Sequence, residues 1–268
     1  EHNPMLAFPY TKLHNTSWNV DQAGALLLCS QQRADELGIP ETQRVYPLAS
    51  AQCEQMLSVA LRRHLDRVPG VAAAGQRLEE SLGLCLADVD FIELYSCFPV
   101  AVLAYAAELG LSLDRDLTVT GGMPFAGGPL NNYVIQSTCR LAELLRASPG
   151  CTGLVSSVSG LMTKQGLGLW STAPPELPFQ SVDVTAAVSA ANPPLRVLSA
   201  YEGVARVAGY TVLYERGQRQ RAVAMLDTPA GERVIAWTED PGLMVSMEQD
   251  EWVGRNVPCS GDQLVVAR

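Results

Sequence analysis

Thr118-Val119-Thr120-Gly121-Gly122-Met123-Pro124-Phe125-Ala126-Gly127-Gly128-Pro129-Leu130-Asn131-Asn132-Tyr133 decides the reading of this chain. A β-branched run, expected as a strand over residues 117–120, enters a loop with four glycines, and a helical pattern follows over residues 131–147. Glycine at this density lets the backbone adopt φ > 0 and approach a ligand or another backbone closely. The helix that opens next points free N–H groups at whatever lies in the loop. The stretch is therefore expected to form a cradle between a strand end and a helix start.

The pattern extends on both sides. Asp90-Phe91-Ile92-Glu93-Leu94 reads as a strand, and residues 99–109, apolar almost all round and stopped by Gly110, read as a buried helix. Residues 131–147 carry the clearest amphipathic signal, with Val134, Cys139, Leu141, Leu144 and Leu145 inward. Residues 153–158 and 167–171 read as two strands joined by a glycine-containing turn. Nearer the start, the first 20 residues read as loop and Ala25-Leu26-Leu27-Leu28-Cys29 as a fully buried strand. Residues 31–37 read as a helix stopped by Gly38, 44–49 as a strand and 70–82 as a helix. The alternation implies an α/β domain, a mixed sheet with helices on both faces.

Ala173-Pro174-Pro175-Glu176-Leu177-Pro178 then reads as a linker. Beyond it, short β-prone segments (195–198, 202–207, 210–215, 221–227 and 232–238) alternate with turn signals at Arg216-Gly217, Pro229-Ala230-Gly231 and Pro241-Gly242. This spacing suggests a small all-β barrel or sandwich, with an oligonucleotide-binding (OB)-like barrel as one form. The expected division is 1–42, 43–176 and 177–268.

Composition narrows the function. The chain has 268 residues, 47% hydrophobic and 18% charged, enough for an ordinary core. A net charge of −9 argues against a surface that tracks nucleic-acid phosphates. Tail arginines and aromatics could stack bases, but the acidic segment 247–251 weighs against it. Seven cysteines without CxxC pairing read as reduced buried thiols rather than a disulfide framework. No apolar run approaches the ~20 residues that span a bilayer, so the default is a cytoplasmic protein with no membrane contact. His2, His14 and His64 lack metal-ligand spacing and read as surface residues; no metal site is expected.

Four segments, in order, resemble the thiolase superfamily. They are Phe8–Lys12 with Val20–Ala25 (an Asp-Gly-Ala-like segment), Ile92-Glu93-Leu94-Tyr95-Ser96-Cys97-Phe98 (Asn-Glu-Ala-Phe or His-Asp-Cys-Phe), the glycine loop (Gly-His-Pro) and residues 153–168 (the Cys-x-Gly hairpin). The β-rich tail is further similar to thiolase-like proteins of type 1, which carry an additional C-terminal domain. The resemblance implies that residues 1–42 end an N-terminal thiolase half and that 43–176 form the C-terminal thiolase domain. It implies an acyl-CoA acyltransferase fold without a tightly bound cofactor, which takes a coenzyme A thioester. It also implies a homodimer or a complementary chain that supplies the N-terminal half. The departures are specific: Gly128 stands for the activating histidine, Val158 for the acid/base cysteine and Tyr95 for the Asn or His of the third motif.

Proton transfer needs a titratable group within about 3 Å of the reacting atom, and glycine and valine offer none. Thiolase activity is therefore expected to be altered or lost. Candidate catalytic residues are the hydroxyl-bearing Tyr95, Ser96, Tyr133 and Ser159; candidate ligand-binding residues are Gly121, Gly122, Gly127, Gly128 and Asn131. Cys97 reads as packing, Ser156 and Ser157 as hairpin packing, Lys164 as a solvated side chain, and one of Asn131 and Asn132 as a helix cap. Two alternatives stand beside the acyltransferase: a thiolase-fold retro-aldolase that uses tyrosines on a β-hydroxyacyl-CoA, and a non-catalytic binding or scaffold protein.

Overall fold

Local signals place most elements of the computed structural model, which describes residues 2–265. In chain order, β1 (Met5–Ala7) and β2 (Tyr10–Thr11) precede helix α1 (Gln31–Glu36), β3 (Tyr46–Glu54), α2 (Pro69–Leu82), β4 (Phe91–Glu93) and α3 (Pro99–Glu108). The short α4 (Met123–Ala126) and the long α5 (Tyr133–Ala147) lead to β5 (Thr152–Ser159), β6 (Lys164–Ser171), β7 (Gln180–Asp183) and α6 (Thr185–Ala191). Then come β8 (Val197–Leu198), β9 (Tyr201–Glu215), β10 (Gln218–Asp227), β11 (Arg233–Thr238), α7 (Pro241–Gln249), β12 (Asn256–Gly261) and β13 (Gln263–Leu264). Helix ends follow chemistry. Ser30 Oγ accepts the Arg33 amide at the start of α1, Pro99 opens α3, and Gly83 closes α2 in the left-handed region.

The chain divides into two units. One comprises Asn15–Met56 and Asp66–Ala191. Its five-stranded sheet runs β4-β5-β6-β3-β7, parallel at β4/β5 and β3/β7 and antiparallel at the two pairings between. Helices cover both faces, as expected. Leu154 turns to the core shared with α2 and α3, whereas its neighbour Val155 turns to Leu141 and Leu145 of α5.

The other unit comprises Glu1–His14, Leu57–Leu65 and Asn192–Arg268. Five of its strands pair in a closed ring, β9-β10-β11-β13-β12 and back to β9. The β11/β13 pair is parallel, and α7 stands between β11 and β12 in the chain. Ala205, Val207, Val212, Ala224, Ala236 and Met247 share its core. Arg216 and Gly217, both at positive φ, make the two-residue hairpin turn between β9 and β10.

Several expectations are corrected. The opening residues are not all loop: β1 pairs with β2 and, through Ala7, with Leu213 of β9. The run 25–29 is not a buried strand; it pairs with no strand among the described residues, and Leu27 and Leu28 are exposed. Residues 117–120 form no strand, because a buried carboxylate takes their amides. Pro241-Gly242 is not a turn; Asp240 accepts the Leu243 amide and caps α7. Residues 180–183 return to the first sheet after the proline-rich linker. Of the seven unpaired cysteines only Cys53 and Cys259 are buried, and Cys29 and Cys85 are exposed. Arg233, one of the tail arginines, is fully buried on Asp227 and on the carbonyls of Arg62 and Arg63. No helix among the described residues is long and apolar enough to cross a membrane.

Candidate functional site

The chain leaves the sheet after β4, at a parallel strand end, where ligands bind in open α/β sheets. The Leu94 amide donates to the Leu117 carbonyl at 2.9 Å and the Tyr95 amide to Ser156 Oγ at 2.8 Å. These bonds hold the β-branched run and β5 on either side of the departing strand. Tyr95 is half-buried and meets Tyr133 edge-on, with ring centroids 5.7 Å apart and an interplanar angle of 88°. Its hydroxyl makes no hydrogen bond among the described residues. Burial pushes the Tyr95 phenol above its ordinary pKa, and the nearby Cys97 adds to the shift.

Ser96 secures the glycine loop: its Oγ accepts the Met123 amide at 2.9 Å. A Cβ on Gly122 would come within 3.2 Å of that oxygen, and Gly122 has φ +83°, so glycine is required there twice over. The Cys97 carbonyl accepts the amide and hydroxyl of Thr16 at 3.2 and 3.1 Å. Burial raises the Cys97 thiol, which makes it a poor nucleophile at neutral pH.

Thr16 begins a set of stitches from the opening segment. The Ser17 amide donates to the Met123 carbonyl at 3.2 Å and the Ser17 carbonyl accepts the Gly128 amide at 2.9 Å. Gln22 Nε2 donates to the carbonyls of Ala126 and Gly127 at 3.0 and 3.1 Å, and its Oε1 accepts Asn132 Nδ2 at 3.0 Å. Gly127 has φ +82°, and a Cβ there would lie 2.3 Å from Val20. At Gly128 a Cβ would lie 2.1 Å from Met123 Cε and 2.6 Å from the Thr16 methyl. The space where the resemblance would put an imidazole is filled by those two side chains.

Beneath the loop lies a residue that the sequence reading quoted in a motif and gave no role. Glu93 is fully buried. Its Oε2 accepts the Val119 amide at 2.7 Å, the Thr120 amide at 3.2 Å and the Thr118 hydroxyl at 2.9 Å. Its Oε1 accepts the Tyr133 hydroxyl, and the Thr120 hydroxyl at 3.3 Å. Burial raises the Glu93 pKa against the opposing pull of these donors. The signal for it was available: an acid between Ile92 and Leu94 in a buried strand must find partners.

The structure thus brings Tyr95, Ser96, Gly122, Thr120 and Tyr133 together around Glu93. Tyr133 lies inside the cluster, fully buried, with its phenol held well above the ordinary value by burial and by Glu93. Ser159 and Asn131 stand apart from it: Ser159 is exposed and its carbonyl accepts the Thr163 amide within the hairpin, and Asn131 is exposed. Neither asparagine caps α5 through its side chain; Asn132 reaches Gln22 instead. Val158 packs against the core, and Ser157 Oγ donates to the Gly166 carbonyl. Lys164 pairs in register with Ser159. The amides of Gly122, Met123 and Gly128 already have partners within the protein, so the loop offers fewer free donors than its glycines suggest.

No family model matches the chain. A 3-ketoacyl-CoA thiolase from Vibrio vulnificus is 29% identical over 143 residues, 53% of this chain and 35% of that protein. The namesake from Vibrio cholerae is 30% identical over the same length and shares of both chains. The matched segment spans about a third of these relatives. Among solved structures, a monomeric SCP2-thiolase like protein type 1 from Mycobacterium smegmatis superposes with a TM-score of 0.84 at 27% identity, covering 99% of this chain and 59% of that one. Motif order, mixed sheet and relatives agree: the chain is similar to the C-terminal half of thiolase-superfamily proteins.

Proposed function

We propose that the cluster after β4 binds the acyl end of a coenzyme A thioester, with no tightly bound cofactor, and that thiolase chemistry is altered or lost. One observation carries the reading: the Tyr95 phenol, uncommitted to any described residue, stands at the strand end beside the glycine loop. A phenol kept protonated by burial donates a hydrogen bond to a thioester carbonyl or an enolate oxygen. Gly128 and Val158 supply no group that moves a proton, and side chains crowd the first of these positions. The chain is then an acyltransferase-family protein whose ligand site outlasts the acid/base pair, and we assign it to the cytoplasm.

Calorimetry with acetyl-CoA, run beside an assay of released CoA, tests this. Binding with little release is expected. Neither binding nor release would remove the reading, and turnover at a thiolase's pace would refute the lost chemistry.

A retro-aldol lyase acting on β-hydroxyacyl-CoA is the second reading, favoured by the Tyr95–Tyr133 pair. Such a step needs a phenolate to take the hydroxyl proton as the C–C bond breaks. The raised phenols argue for donation instead, and so rank it second. A non-catalytic scaffold role follows if thioesters bind without any reaction.

The exposed Trp18, Leu27, Phe125 and Leu130 support a complementary chain or a second copy as partner of the site-bearing unit. The closed ring with its parallel closing pair and one inserted helix supports an OB-like barrel for the other. Arg196, Arg219, Arg221 and Arg233 each pair with an acid, which leaves little free charge for a nucleic acid.

A further inference from the structure

We infer that Glu93 is the positioning residue of this site: its carboxylate sets the direction of the hydrogen bonds around a closed ring of hydroxyl contacts that holds Tyr133, the mouth of the glycine loop and, through Tyr133, the ring of Tyr95. The inference deepens the thioester reading and rests on it for the identity of the ligand.

The ring is continuous. Tyr133 donates to Glu93 Oε1, the Tyr133 and Thr120 hydroxyls lie 2.7 Å apart, those of Thr120 and Thr118 3.2 Å apart, and Thr118 returns to Glu93 Oε2 at 2.9 Å. No lysine, arginine or histidine forms an ion pair with Glu93 among the described residues. Keeping a carboxylate in a dry interior without a counterion is costly, so mere space filling does not explain it. The titratable groups facing it are few. Helix α5 brings Tyr133, and the segment after β4 brings Tyr95 and Cys97 beyond it. The 118–120 segment and β5 offer hydroxyls and amides only.

The two oxygens are not equivalent. Oε2 faces two main-chain N–H groups, which cannot turn round and accept. A proton taken up by Glu93 therefore resides on Oε1, against Tyr133 and Thr120. The acid then donates to the Tyr133 oxygen, and the Tyr133 proton swings to Thr120. Thr120 Oγ1 is also the acceptor of the Gly122 amide at 3.2 Å, so the reversal reaches the first turn of the loop. Charged, Glu93 draws the hydroxyls of Tyr133, Thr120 and Thr118 inward and fixes the loop; neutral, it releases those of Tyr133 and Thr120 while Oε2 keeps Thr118 and the two amides.

Tyrosine ring-carbon NMR of the full chain across the acidic to neutral range tests this, with acetyl-CoA affinity measured in parallel. In the native protein the Tyr133 resonance is expected to follow one titration above the usual carboxylate range, and Tyr95 to follow it. In Glu93→Gln both become pH-independent, and acetyl-CoA binds about tenfold more weakly, the loss of one hydrogen bond's worth of positioning. Should that variant not fold, Tyr133→Phe opens the ring and is expected to abolish the Tyr95 response. A Tyr133 resonance flat with pH in the native protein, or the same titration persisting in Glu93→Gln, overturns the inference. Failure of the native protein to bind acetyl-CoA removes the thioester reading instead, and the tyrosine titration still decides the ring.

Discussion

The closed ring β9–β13 and the loop between β4 and α5 hold their chains in opposite ways. In the ring, main chain bonds main chain: β10 and β11 pair residue by residue from Ala222↔Thr238 to Asp227↔Arg233. In the site-bearing unit, the amides of Tyr95, Val119, Thr120, Gly122 and Met123 all go to side-chain oxygens. A ladder survives most side-chain changes because every residue brings its own donor and acceptor. A loop built on side chains depends on a few of them, and on the absence of others at its glycines.

The sharpest way to break that contrast is Gly127→Ala. The new methyl meets stiff Val20 at 2.3 Å on a backbone at φ +82°, and we expect a loss of about 3 kcal/mol in denaturant unfolding. A variant as stable as the native chain would show that the opening segment does not clamp the loop. Asp240→Ala, in the ring unit, removes the cap of α7 and should cost about 1 kcal/mol by the same measurement, with the strand pairings intact. Smallest is Arg221→Gln. It lifts a guanidinium from the Trp237 face, 4.1 Å from the ring centroid, and leaves Glu239 unpaired, for about 0.5 kcal/mol and a blunted salt dependence of the melting temperature. A larger loss there than at Gly127 would invert the comparison.

What could be read in advance follows the same division. Helices α2, α3 and α5 and the hairpin β5–β6 announce themselves because their hydrophobic period and their stop signals are local. The strands of β9 to β11 were visible for the same reason, through Arg216-Gly217 and Gly231. Pairings across the chain left no local trace. Ala7 meets Leu213 from the far end of the sequence, and β7 rejoins β3 after a stretch of prolines. The run at 117–120 had every strand propensity and lost to a carboxylate, since Glu93 offers its amides a stronger acceptor than a sheet edge. Of the site, Tyr95, Ser96, Tyr133 and the glycines were legible by motif. Thr16, Gln22, Thr118 and Thr120 were not, because their roles exist only once distant segments meet.

Chemical-shift mapping of backbone amides during an acetyl-CoA titration addresses the account most directly, since both regions report in one experiment. The prediction is saturable shifts at Tyr95, Ser96, Gly121 and Gly122, with β9 to β13 silent. Shifts confined to the ring strands, or none at either place, would contradict it.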